Sequence, residues 1–169
     1  MNTLGKQKKN VGEAVAKQFL TFRIAHENYG LELSQTREII EYSGITEVPL
    51  MPHFLRGVIN LRGEVVPVID LAVRLGRKPI EIQRRSCIIV VELTNSDQHH
   101  VLGLLADAVS EVIEMDDENI EDAPSFGANI RAEFIQGIAK QGEEFVVLLD
   151  ANNALSIREL AHLVEAELQ

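Results

Sequence analysis

Two aspartates and one glutamate–arginine pair are the residues of this sequence best placed to do chemistry. Asp70 and Asp150 each close an apolar run, in VVPVID and FVVLLD. Carboxylates matched in this way could share one proton, as in aspartic proteases, because two like charges held close together do not both ionise. Neither aspartate sits in the small-residue loop that such a dyad needs. An aspartate at the end of a strand also caps the turn or helix that follows it, and capping is the favoured reading. Glu38 and Arg62 form the second pair. They fit an exposed salt bridge, which stabilises little. They also fit a charged recognition patch with an arginine anchor. Residue types leave both open.

Other chemistries find less support. The five histidines are scattered, and His99-His100 has no acidic or cysteine partner at metal-ligand spacing. Asp116-Asp117-Glu118 lacks the ligand order and central glycine of an EF-hand and reads as a solvated acidic loop. Cys87, the one cysteine, lies in an apolar run, so no internal disulfide forms and a buried small hydrophobe is expected. No P-loop, dinucleotide glycine fingerprint, nucleophile elbow or paired CxxC occurs, and no cofactor or metal is expected.

Arg62 is positioned by a hairpin. Val58-Ile59 and Val65 to Ile69 flank a turn at Arg62-Gly63, and the glycine can take positive φ at the tip without steric cost. The guanidinium is therefore carried on a stiff turn, suited to gripping another surface. Around it the chain reads as β structure. Gln18–Ile24 alternates as a strand, Ala25 to Asn28 turn, and Tyr29–Leu33 returns. Ser34–Tyr42 fits either a strand end or a helical turn. Pro52–Leu55 suggests one helical turn stopped by Gly57. Pro67 predicts an edge strand or a bulge. Asp70–Leu75 reads as a short capped turn ending at Gly76. Cys87–Leu93 and Val101–Leu105 read as strands about a polar tip, Glu111–Met115 as another apolar run, Asp116–Asn129 as a loop, and Phe134–Lys140 with Glu144–Leu149 as a last hairpin. Residues 1–17 are polar and basic and are expected to form a flexible tail. Residues 156–169 carry a capping box, Ser156 with Glu159, and helical apolar spacing, so a C-terminal helix should dock on the body.

The chain repeats itself. Gly30-Leu31 and Glu38-Ile39-Ile40-Glu41 match Gly103-Leu104 and Glu111-Val112-Ile113-Glu114 at a constant offset of 73. Farther on, Phe54 to Asp70 matches Phe134 to Asp150 at an offset of 80. Two similar small antiparallel β units follow, each too small to bury a good core alone and so sharing an interface. Their hairpin tips differ, which suggests that function was placed there. With 169 residues, 46% hydrophobic and 25% charged, the chain can bury a core. The net charge of -10 disfavours nucleic acid and anionic membrane surfaces. Nothing reaches transmembrane length, and no apolar segment follows the basic first residues as a secretory signal would require. Cytoplasmic location is the default.

FLTFRI, YGLEL, REIIEY and VPLMPHFLRGVINLRGEVVPVIDL, with GLLADAVSEVIEM and FIQGIA in the second half, resemble the CheW family of chemotaxis coupling proteins. The similarity runs from about Gln18 to the final helix. It implies an all-β fold of two intertwined five-stranded SH3-like barrels over 18–155 and no catalysis. It implies an adaptor joining transmembrane chemoreceptors to the regulatory domain of the histidine kinase CheA, at the inner face of the membrane. Arg62 and Glu38 then fall in or beside the receptor-binding surface, with Leu33 and Val109 at apolar positions of its groove. Tyr42, Ile45 and Val65 match a kinase-facing side, and Phe126 matches a second-barrel position that contacts the kinase. Thr36, polar where some relatives are aliphatic, and Glu121, acidic where some carry a base, depart from the pattern and bear on partner specificity. With no receiver or kinase domain in the chain, the free-standing adaptor is the expected form.

Overall fold

Each half of the chain gives its leading hairpin to the other half's sheet. The computed structural model describes residues 16–95, 98–122 and 132–155. The first half supplies β1 (Lys17–Ile24), β2 (Glu27–Glu32), β3 (Thr36–Glu41), β4 (Leu55–Leu61) and β5 (Glu64–Asp70). The second supplies β6 (Cys87–Asn95), β7 (Gln98–Ala106), β8 (Ala108–Met115), β9 (Ile120–Glu121), β10 (Ile135–Gln141) and β11 (Glu144–Leu149). The first barrel runs in the order β3-β6-β7-β5-β4, five strands as expected, and the second β8-β1-β2-β11-β10-β9, six rather than five because the two-residue β9 adds to β10. The β1–β2 hairpin thus completes the second barrel, and β6–β7 the first.

This exchange corrects one expectation. The two units are not wholly antiparallel, because each borrowed hairpin docks in parallel: β7 on β5, and β2 on β11. A glycine marks each parallel junction, Gly103 opposite Val68 and Gly30 opposite Leu148. A Cβ on Gly103 would stand 2.7 Å from Ile88 Cγ2, and one on Gly30 2.8 Å from Leu148 Cδ2.

Hairpin exchange also explains the burial of β1. Its alternation is not core against solvent. Phe19 packs with Ile113, Ala139, Val146 and Leu148. Leu20, Phe22 and Ile24 belong to the larger core, with Val66, Val68, Ile69, Ile88 and Leu104 of the first barrel. One strand lines two apolar clusters, so both of its faces are buried.

Several local expectations shift. The first turn needs only Ala25 and His26, both at positive φ. Leu33–Gln35 forms a single 3-10 turn before β3, so both readings of that ambiguous stretch occur in succession. At Pro52 there is no helix, only a turn closed by the Leu55 N–H donating to the Pro52 carbonyl at 2.9 Å. β6 and β7 extend to Asn95 and Gln98, into the expected polar tip. The acidic stretch holds a 3-10 turn, Asp117–Asn119, and β9 where a loop was expected. β5 is internal rather than an edge; the alternative of a bulge is met in the β4–β5 ladder, but on the partner strand, where Arg56 is the extra residue opposite Val68 and Ile69, and the ladder with β7 takes up only Val68 to Asp70, one residue past Pro67. Cys87 is buried, and desolvation first, then the nearby Asp107 charge, pushes its thiol pKa up. Phe126, the expected tail as far as Val15 and the expected helix from Ser156 lie outside the described residues; Lys17, expected in the tail, is the first residue of β1. Among the described residues no helix is long and apolar enough to cross a membrane, and no group of three or more His, Cys, Asp or Glu could hold a metal.

Candidate functional site: the barrel seams and outer faces

In the first barrel β3 and β4 are the two ends of the sheet order, so no ladder joins them. Side chains join them instead. Leu61-Arg62-Gly63-Glu64 is a two-residue hairpin turn with positive φ at both central residues, +53° at Arg62 and +88° at Gly63. That is the backbone pattern of a type I′ turn, whose twist suits a hairpin. Asn60 Oδ1 accepts the Gly63 N–H at 2.8 Å and holds the turn from inside.

From this turn Arg62 reaches β3. Its Nη1 donates to Glu38 Oε1 at 3.3 Å, and its Nη2 donates to Glu38 Oε2. The forked pair crosses the seam, and Arg37 to Glu64 at 3.8 Å crosses it again. Arg37 is the extra residue of a β-bulge, since Thr36 pairs with Val91 and Glu38 with Val90. A bulge re-aims the side chains beside it. Glu38 is more covered than expected, at 27% exposure, whereas Arg62 is 65% exposed. The hydrogen bonds from Arg62 are the leading cause that holds the Glu38 carboxyl below its ordinary pKa.

Exposure separates the remaining candidates. Leu33 and Val109 are half-buried against the larger core. Leu33 sits in the turn that carries the chain from β2 of the second barrel to β3 of the first, and a surface hollow there is lined by Lys17, Gln18, Glu32, Leu33 and Ser34. Val109 lies just past the opposite crossing, from β7 to β8. Tyr42 and Ile45 also pack against the larger core. Val65, by contrast, is 70% exposed. Thr36 is half-buried, and its hydroxyl hydrogen-bonds the Glu32 carbonyl at 3.4 Å; Glu121 is exposed on β9.

Besides Leu50 and Ile82 between strands, three exposed apolar residues on strands were missed in the sequence. Ile39 on β3, Val112 on β8 and Phe145 on β11 all face out. The repeat could have found them: the 73-residue offset turns Ile39 into Val112, and the 80-residue offset turns Val65 into Phe145. Each barrel therefore shows one apolar residue on its first own strand and one just beyond its hairpin tip.

The two aspartates act locally. Asp70 is fully buried. It accepts from Arg56 Nη1 at 2.7 Å, the Ala72 N–H at 3.0 Å, the Val73 N–H at 3.4 Å and the Ile80 N–H at 2.9 Å. It caps the short helix Leu71–Arg74. Asp150 caps Ala151–Ala154 by accepting from the Asn153 N–H at 3.1 Å. The two carboxylates serve separate helices, and no hydrogen bond joins them.

Comparison with known proteins agrees with this architecture. The CheW-like domain family matches residues 18–159. The chain is 33% identical over 161 residues to the chemotaxis protein CheW of Klebsiella aerogenes, covering 95% of each chain. It is 29% identical over 141 residues to protein FrzA of Myxococcus xanthus, covering 82% of this chain and 85% of that one. The crystal structure of the scaffolding protein TtCheW from Thermoanaerobacter tengcongensis superposes with a TM-score of 0.75 at 33% identity, covering 87% of this chain and 92% of the other. Twin barrels with exchanged hairpins, matched in sequence and in structure over most of their length, place this chain in the CheW-like domain family.

Proposed function

We propose that this protein is a non-catalytic adaptor that couples chemoreceptor tips to the histidine kinase CheA in arrays at the inner face of the membrane. The observation that carries the reading is the side-chain seam of the first barrel. A guanidinium stands out from a two-residue turn, aimed by a carboxylate across the seam, with the exposed Val65 beside it. A charged anchor next to apolar surface suits recognition of a partner protein.

The receptor tip, a helical hairpin, lays an apolar face along the surface between the barrels that carries Leu33 and Val109, and Arg62 fixes its register. Glu38 holds the guanidinium in place before docking and so lowers the ordering cost of binding. The kinase regulatory domain meets the first barrel around Val65, backed by Tyr42 and Ile45, and meets the second barrel near Phe126. Each contact can be weak, because an array raises the effective concentration of the partners. A coupling free energy of about 1–3 kcal/mol between receptor and kinase states is then enough for signalling.

Arg62→Ala should weaken capture of a receptor cytoplasmic fragment and leave the circular dichroism spectrum unchanged. Undiminished capture by the folded variant removes Arg62 from the receptor surface. The alternative of an Asp70–Asp150 enzyme gains no support, since backbone N–H groups of two separate helices occupy the two carboxylates.

A further inference from the structure

Reciprocal exchange of equivalent hairpins makes the two barrels approximate two-fold mates, and residues near such an axis meet their own repeat mates. Phe54 and Phe134 are mates at the 80-residue offset, as are Arg74 and Ala154. All four come together. The Arg74 guanidinium carbon lies 5.1 Å from the centre of the Phe54 ring and 4.8 Å from that of Phe134. Its Nε–H donates to the carbonyl of Ala154 at 2.9 Å. The backbones holding the rings are also mates: the Asp70 N–H donates to the Phe54 carbonyl at 2.6 Å, and the Asp150 N–H to the Phe134 carbonyl at 2.8 Å.

One arginine thus grips an equivalent aromatic face from each barrel and the end of the opposite barrel's capped helix. An arginine at both mate positions would bring two like charges together at the axis. The sequence has one arginine and one alanine instead. A planar guanidinium stacks on aromatic faces and is weakly hydrated, so it suits such a half-buried site better than an ammonium. Phe134 and Ala154 are buried within the larger core.

We propose that Arg74 is a positioning residue that fixes the angle between the two barrels. Hairpin exchange decides which strands pair. It does not by itself stop the two barrels from sliding over the packed faces between them, the small shear by which packed elements move. A side chain held by both barrels opposes that slide directly, because a slide must pull the guanidinium off one of the two ring faces or off the Ala154 carbonyl. Arg77 makes a second tie between barrels, to Glu27 at 2.7 Å, but it is about one-third exposed. The link from this angle to signalling rests on the adaptor reading above, because two docking faces communicate only if their relative placement is held.

The test needs no partner, so its failure is distinct from failure of the adaptor reading. Spin labels are placed on the full chain at Glu41→Cys of β3 and Glu114→Cys of β8, exposed repeat mates on the two barrels. The buried Cys87 alone serves as the background control. Pulsed electron resonance should give one narrow distance distribution for the otherwise native chain. With Arg74→Ala the distribution should broaden or its mean should shift, and Arg74→Lys should fall between the two. If Arg74→Ala loses its cooperative unfolding transition, Phe134→Leu, which keeps an apolar side chain and removes the ring face, should broaden the distribution in the same way. A distribution unchanged in either folded variant overturns the proposal.

Discussion

Two ion pairs, Arg62 with Glu38 and Arg37 with Glu64, cross the seam of the first barrel; at the matching place in the second a neutral amide does the job. Gln141 Nε2 donates to Glu111 Oε2 at 2.6 Å, and Glu111 is the repeat mate of Glu38. The turns differ as well. The second tip has Gly142 at φ +64° followed by Glu143 at negative φ, the pattern of a type II′ turn. Both barrels are bulged at the same place, between Thr36 and Glu38 and opposite Leu20 to Phe22, where Thr21 Oγ1 bonds both the Glu111 carbonyl and its N–H. The frame, the bulge and the carboxylate are kept, and the group that grips the carboxylate is changed. Divergence at one atom set within a frame shared by the two repeats fits the recognition role proposed for that set.

The largest effect expected from this comparison lies at the capping aspartates. Arg56 partners Asp70, but the repeat mate of Arg56 is Gln136, so among the described residues no matching cation stands against Asp150. Asp70→Ala would strip a half-buried arginine and three backbone N–H groups of their acceptor, and breaking a buried pair in this way costs about 3–5 kcal/mol. Asp150→Ala removes a cap alone, worth about 1 kcal/mol. Urea denaturation of the two variants should show a clear gap in midpoint at similar slope. Equal losses would mean that the ion pair adds nothing to the cap, and the contrast between barrels would collapse at this point.

The parallel junctions sharpen the comparison. At Gly103 an added methyl meets Cγ2 of Ile88 and of Val68, both on branched Cβ atoms with restricted χ1. At Gly30 it meets the far end of Leu148 first, which can swing aside, and Val146 Cγ1 at 3.3 Å. Overpacking of this kind costs roughly 1–3 kcal/mol. Gly103→Ala should fall in the upper part of that range and Gly30→Ala in the lower, read as the difference in thermal midpoint. The reverse order would show that the second barrel is the less yielding of the two.

Much of this was legible in residue order, and the reasons are physical. Gly63 announced the tip, Asp70 its cap, and constant offsets announced two units, because turns, caps and strand periods are local rules. Hairpin exchange obeys no local rule. Nothing in FLTFRI says whether its two faces meet solvent or two apolar clusters; that depends on which sheet the hairpin joins. Family resemblance supplied the intertwining that the repeat alone did not. Pro67 misled only as to the edge, for the same reason: a missing donor can be placed just before a ladder begins as well as on an edge, and the bulge it also allowed sits one pair away, on β4. The outer apolar residues Ile39, Val112 and Phe145 were hidden because an exposed Ile or Phe reads as core until the sheet is known. Glu38 was recognised as a partner for Arg62, but its coverage was not.

The smallest expected effect separates what Arg62 does for the fold from what it does for a partner. Glu38 has its pKa lowered, chiefly by hydrogen bonds from Arg62. A carboxyl whose folded pKa is depressed stabilises the native state above its unfolded pKa, and that contribution is lost as pH falls through the folded value. Carbon NMR of the Glu38 carboxyl should therefore show a midpoint below the ordinary glutamate range, moving back up in Arg62→Gly. That substitution also relieves a non-glycine residue at φ +53°, so the loss of a solvent-screened pair is set against a relaxed turn. The unfolding midpoint at neutral pH should stay within error of the native protein or rise slightly. A clear fall would show that the forked pair holds the barrel shut. In that case the neutral Gln141 bridge would be the weaker solution to the same structural problem, and the contrast between seams would no longer support the proposed binding site.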